Sequence, residues 1–179
     1  MPIISGSGGG GLSGVTVTGT AAAGEVPVAS SSSAGAWAFP PGYEIVYSQI
    51  TSNANITDTS EATATALITA TATFDGAPVI CQFYSAQVDT DSSVASDLVG
   101  ITLFEGSTQI TRLAQVRTIV TASRYIGPVF AAYRFTPTAG SHTYKLCAYC
   151  SSTTGTPAIE AGSGGTGANP PAYIRFIKV

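Results

Sequence analysis

Acid–base, nucleophilic or metal chemistry in this 179-residue chain would have to be built from one histidine, three cysteines and ten acidic side chains. His142 stands beside the turn in FTPTAGSHTYKLCAYC. As a catalytic base it would need a nucleophile and an orienting carboxylate, and no nearby spacing supplies them; a structural role at a sheet edge is predicted instead. Cys147 and Cys150 form a C-x-x-C. On a strand, residues three apart point to opposite faces, so the two thiols cannot grip one ion. An odd, sparse set of cysteines is also no disulfide framework, and Cys81, Cys147 and Cys150 are expected to act as small buried apolar groups. Asp89, Asp91 and Asp97 carry the oxygens that calcium favours. However, Val94 stands where an EF-hand loop needs its turn glycine and Gly100 where it needs its glutamate, so a solvated acidic loop is expected. Asp89 and Asp91 are the close carboxylates a hydrolase would use, and they have no assigned partner. The Gly-rich GSGGGG and GSGGTG segments do not sit between a strand and a helix, and no Walker lysine follows them. These residues predict no enzyme, no metal and no cofactor.

Composition narrows the classes further. Charged residues make up 9% of the chain, far below the roughly 25% of an average soluble domain. A net charge of −3, with seven basic residues scattered from Arg112 to Lys178, predicts no nucleic-acid partner, because phosphate binding needs clustered Lys and Arg. No run approaches the ~20 apolar residues of a bilayer span, so no membrane partner is expected. MPIISGSGGGG lacks the basic and apolar regions of a secretory signal, which predicts synthesis in a cytoplasm. Low charge with 44% hydrophobic residues suits a chain that hides much of its surface in an assembly.

The elements that would position these residues are strands. Val129, Ala131, Tyr133 and Phe135 alternate, as do Tyr144, Leu146, Ala148 and Cys150, and Thr-Pro-Thr-Ala-Gly-Ser between them reads as a hairpin turn. Ala62 to Phe74 alternates apolar residues with a threonine face, a half-buried strand. Asp75-Gly76 turns the chain into Pro78 to Ala86, with Val79, Cys81 and Phe83 as its apolar set. Leu98 to Glu105 and Thr108 to Val120 form a second hairpin around Gly106-Ser107, and the spacing of Ile110, Leu113 and Val116 is outweighed there by β-branched residues. Ser151 to Pro171 reads as a long loop of the kind often used functionally. Ala172 to Val179 is a last strand, with Ile174 and Phe176 on one side and Tyr173, Ile177 and Val179 on the other, which predicts cover on both faces. The fold class that follows is an all-β antiparallel sandwich at 43–179, behind an extended Gly/Ser-rich N-terminal arm at 1–42. The arm holds the sole Trp in the chain, as expected of a segment that becomes ordered against a partner.

Two stretches carry a resemblance. GVTVTGTAAAGEVPVASSSSAGAWAF (14–39) resembles a segment near the N-terminus of bacteriophage fibre and other virion proteins, with Ala22 and Glu25 at that segment's usual proline and glutamine. FTPTAGSHTYKLCAY and PAYIRFIKV are similar to C-terminal jelly-roll-like domains of phage structural proteins. They are also similar to the end of tumour-necrosis-factor and complement C1q type sandwiches, where the last strand lies near a threefold axis. The resemblance implies a non-enzymatic virion structural protein, a homotrimeric capsid-decoration or head-fibre protein at the virion surface. Its arm would hold the major capsid or tail protein through Val15, Val17, Trp37 and Phe39, and Tyr173, Ile177 and Val179 would meet at the trimer interface. Three arms on one trimer raise effective concentration, so weak contacts add. The alternative is a tail-fibre module that recognises host surface glycan through the 151–171 loop or through Tyr84, Tyr125 and Tyr149.

Overall fold

A computed structural model of the chain describes residues 16–18, 20–21, 23–29, 34–90, 97–118 and 125–179. Its regular structure is β-strand apart from one 3-10 turn at Glu61–Thr63. In the arm, β1 (Thr16–Thr18), β2 (Val26–Ala29) and β3 (Ala34–Ala38) form a small sheet in the order β1-β3-β2, with β1 parallel and β2 antiparallel to β3. The arm is therefore not simply extended as the composition predicts; where it carries Val and Ala in short runs it pairs with itself. Val15 lies outside the described residues.

The sandwich consists of β4 (Glu44–Ile50), β5 (Ala54–Asn55), β6 (Ala66–Asp75), β7 (Val79–Asp89), β8 (Leu98–Glu105), β9 (Thr108–Arg117), β10 (Ile126–Phe135), β11 (Ala139–Cys150), β12 (Ala158–Glu160) and β13 (Ala172–Lys178). One sheet runs β4-β13-β7-β10 and the other β6-β11-β8-β9. The two-residue β5 and three-residue β12 prolong β4 and β13. β12 pairs with β7 at 87–89, on the same side where β13 pairs with it at 79–84. Every pairing in the two sheets is antiparallel. Among the main strands only β8 and β9 are hairpin neighbours; each other connection carries the chain from one sheet to the other. This order is a jelly roll, as the resemblance implies.

Alternation builds the core. Phe74, Val79, Phe83, Ile101, Leu103, Tyr144, Leu146, Ile174 and Phe176 are all buried, and each fully buried side chain of this size contributes roughly 1.5–3 kcal/mol. The Tyr144 ring stacks on Phe176 at 4.9 Å and meets Phe74 edge-on at 5.6 Å. The threonine face of β6 looks outward, and Thr71 and Thr143 hydroxyls share a cross-strand hydrogen bond of 2.8 Å, a pairing that stabilises neighbouring strands.

Two expectations are corrected here. The segment 129–150 is not a hairpin: β10 pairs with β7, whereas β11 pairs with β6 and β8. A turn residue such as Pro137 reverses a chain equally well within a sheet or across a sandwich, so the same chemistry here makes a crossing, and Gly140, expected in the turn, lies inside β11 opposite Phe74. Ser151 to Pro171 is not wholly loop either, because Ala158–Glu160 adds to the edge of β7. Beyond it, residues 161–171 leave the sheet and return at β13, with Asn53 Oδ1 accepting the Ala161 N–H at 3.0 Å where the chain departs.

Candidate functional site

The groups with chemical potential turn out to be structural ties. The His142 ring joins Glu105 through Nδ1 and the Thr138 carbonyl through Nε2 at 2.9 Å, which fixes the β10–β11 crossing to the end of β8. The three cysteines are buried thiols. Burial pushes the Cys81 thiol up to about 12 and also raises Cys147, against a smaller lowering by Lys145. Asp89 and Asp97 are buried rather than solvated. Asp89 ends β7 and accepts the Gln87 side-chain N–H at 3.0 Å, while Asp97 takes the Ser151 hydroxyl; loop composition could not reveal that each is drawn in by a polar partner. Asp91 lies outside the described residues. Among the described residues no three His, Cys, Asp or Glu side chains converge as a metal site.

The two outer faces of the sandwich differ. Over the β6-β11-β8-β9 sheet lies the chain's own turn Glu61–Thr63. Glu61 accepts hydrogen bonds from Thr102 at 2.7 Å, Gln109 at 3.2 Å and Arg112 at 2.9 and 2.5 Å. The Arg112 interaction holds the Glu61 carboxyl below its ordinary range, against burial and with help from Thr102 and Gln109. Sequence reasoning missed this cluster, since Glu61 and Arg112 are 51 residues apart. Beside the turn is a cleft of about 180 Å³ reached by Phe104, Lys145 and Cys147, below the roughly 300–1,000 Å³ typical of small-molecule sites.

The outer face of the β4-β13-β7-β10 sheet has no such cover among the described residues. Strand register places Tyr173 opposite Tyr84, and Tyr84 opposite Phe130. Tyr47 joins the same layer, its ring 5.1 Å from Tyr173, which in turn lies 5.6 Å from Tyr84. Arg175 sits over Tyr173, donates to Gln82 Oε1 at 2.8 Å and reaches Glu44 at 3.5 Å. Burial is the main reason the Tyr47 hydroxyl is raised above its usual range, with Tyr173 and Glu44 adding to it. At the margins Tyr47 is 43% and Phe130 60% exposed. Of the residues singled out by sequence, Tyr173 and Ile177 are half-buried on this face and Val179 is exposed at its end. Tyr47 and Phe130 were missed; Phe130 was legible as the apolar residue between Val129 and Ala131, pointing the other way.

The three tyrosines considered for glycan do not converge. Tyr84 belongs to this face, Tyr125 is tied to the Pro128 carbonyl at 3.1 Å, and Tyr149 lies under Arg112 on the other sheet. In the arm, Val17 and Trp37 are half-buried, whereas Val26 and Val28 are exposed. Phe39 is only 5% exposed and stacks on Tyr43 at 5.0 Å. Its N–H donates to Asp75 Oδ2 at 3.1 Å, so it fastens the arm to the sandwich.

The strand order defines the class: an all-β jelly roll whose outer faces differ, the Glu61–Thr63 turn lying against part of one and no described residue crossing the aromatic layer of the other. No family model matches the chain, and no curated protein matches it in sequence. Solved structures that it resembles include the following. The Eiger tumour necrosis factor of S. frugiperda matches 76% of this chain over 94% of its own, at 10% identity and a TM-score of 0.41. The VP2 subviral particle of infectious bursal disease virus matches 87% of this chain at 13% identity and a TM-score of 0.39, and the chain spans 42% of that protein's length. A carbohydrate-binding module of lichenase 5A from Cellvibrio mixtus, solved with cellotriose, matches 76% of this chain over 99% of its own, at 10% identity and a TM-score of 0.28.

Proposed function

We propose that the chain is a non-enzymatic bacteriophage virion structural protein, a trimeric capsid-decoration or head-fibre protein at the virion surface, attached through its N-terminal segment. The observation that carries this reading is the aromatic face of the β4-β13-β7-β10 sheet, which no described residue covers, in a chain with 9% charged residues. Tyrosine-rich patches with few charges are the composition of interface cores. The sequence resemblance to phage fibre and virion segments supports the source and the role of the arm. Phe39 anchors that arm to the sandwich, which leaves Val17, Trp37, Val26 and Val28 as the groups to meet a major capsid or tail protein.

The glycan reading is the weaker one. Sugars stack on an open ring face, but Tyr47, Tyr173 and Tyr84 lie side by side at 5.1 and 5.6 Å with tilts of 32° and 33°, which leaves Tyr173 and Tyr84 half-buried.

Light scattering after size exclusion of the full chain tests the assembly: a mass of three times 18.0 kDa is expected, and a monomer overturns the self-trimerising head. Mixing with purified capsids tests the arm. Replacing Val26 and Val28 together by serine is expected to abolish co-sedimentation while the trimer persists, and unchanged co-sedimentation overturns attachment through this segment.

A further inference from the structure

Within that trimer reading, on which this step rests, we infer that the subunits meet margin to margin: the β4 side of one sandwich packs on the β10 side of the next, with Glu44 and Tyr47 facing Arg134 and Phe130. Three observations converge on it. First, the two margins carry opposite charge in the same row of the sheet. Glu44 is opposite Ile177, Ile177 opposite Ile80, and Ile80 opposite Arg134. Strands about 4.8 Å apart put the two charged residues ~14 Å from each other across the sheet. They therefore cannot pair within one sandwich.

Second, both side chains reach solvent. Arg134 is exposed and makes no ion pair among the described residues, and Glu44, though it pairs with Arg175 at 3.5 Å, keeps 45% of its side chain exposed. Third, the exposed apolar area lies at the margins and not at the centre. Tyr47 on β4 is 43% and Phe130 on β10 60% exposed, whereas Tyr173 and Tyr84 between them are half-buried. A face-to-face contact would concentrate its exposed anchors at the centre of the patch. A cyclic contact is heterologous, one surface against a different one, and closes into a ring when the rotation allows. An acidic aromatic margin matched to a basic aromatic one is self-complementary in that sense, and like charges brought together there oppose assembly.

The occupant of each margin is therefore a second copy of this chain. The test is a charge exchange in the full chain, read by light scattering and by circular dichroism as a check on folding. Glu44→Lys and Arg134→Glu should each weaken association at least ~tenfold and move the mass towards a monomer, as like charges then face each other across the contact. Glu44→Lys combined with Arg134→Glu should restore the wild-type mass. Phe130→Glu, at a residue that is already exposed, should give a folded monomer. A wild-type trimer indifferent to the single reversals overturns the margin contact and leaves the trimer standing. A wild-type dimer or monomer overturns both. Failure of the double exchange to recover the trimer, with each single variant folded, also overturns the pairing.

Discussion

Replacing Lys178 by methionine should destabilise the sandwich by about 3 kcal/mol, because it strands a buried carboxylate. Lys178 Nζ lies 2.7 Å from Asp75 Oδ2, and the two side chains are only 8% and 7% exposed. Asp75 also accepts the Phe39 N–H at 3.1 Å and the Ala77 N–H at 3.0 Å. Breaking a buried pair from one side costs ~3–5 kcal/mol, and the two N–H groups that stay with Asp75 place this case at the lower end. For a domain of this size that is a fall in Tm of about 6–12 °C. Asp75→Asn with Lys178→Met should cost less than Lys178→Met alone, since no charge is then left buried.

The pH dependence checks the same reasoning. Burial, the largest influence, pushes the Asp75 carboxyl up. The Lys178 ammonium and the two backbone N–H groups outweigh it and leave the carboxyl below its usual range. A folded value below the unfolded one means that the contribution is present above about pH 3.9 and is lost as pH falls through the folded value. Removing Lys178 takes away both of its lowering influences and leaves burial, the largest single one, against the two N–H groups; the carboxyl then rises, so the deficit of Lys178→Met should shrink as pH is lowered from 7 towards 4. Urea unfolding followed by circular dichroism at several pH values measures each point. A loss below 1 kcal/mol at pH 7, or an equal loss in the Asp75→Asn background, would refute the assignment.

Glu61→Gln should cost about 1–2 kcal/mol in urea unfolding, because Arg112 loses a charged acceptor on a partly exposed surface. Its Glu61 carboxyl being lowered, the wild type should lose that advantage as pH drops below about 4.3, and the variant should not. Gly100→Ala would set a methyl 2.2 Å from the Tyr149 ring, and thermal melts should show a loss of ~1–3 kcal/mol that Tyr149→Leu partly relieves. Ellman's reagent at pH 8 should find no reactive thiol in the native chain and three after unfolding, because all are buried and the thiolate is the reactive form. An eight-residue Gly/Ser insertion between Gly165 and Thr166, at the exposed tip of the excursion between β12 and β13, should leave the melting temperature within a few degrees, since lengthening a surface loop costs little.

The faces of strands were legible because alternation is a local property. Ala70, Phe74, Val79, Phe83, Ile101 and Leu103 could be assigned to the core from their own neighbours, and the 108–117 strand could be told from a helix by its β-branched residues. Partners were not legible. The 136–138 connection looks the same whether it closes a hairpin or carries the chain across the sandwich, and only the two complete sheets decide between them. Three-residue strands such as β12 carry too little pattern to stand out from a Gly- and Thr-rich segment. The open face shows the same limit. Tyr173 and Ile177 were visible on the last strand, but Tyr47 and Phe130 become part of one surface only when β4 and β10 take their places at opposite margins. Asp75, Lys178 and Phe39 likewise come from three distant segments.

The position of β13 between β4 and β7 also has a consequence for biosynthesis. A ribosome delivers β4 and β7 long before residues 172–178, so until those emerge the middle of the sheet is vacant and two strands show unpaired backbone to the cell. Non-local pairing of this kind is slow and exposes nascent chains to misassociation. The last strand described here is therefore the one that closes the sheet, and folding of the sandwich should await its release from the ribosomal tunnel.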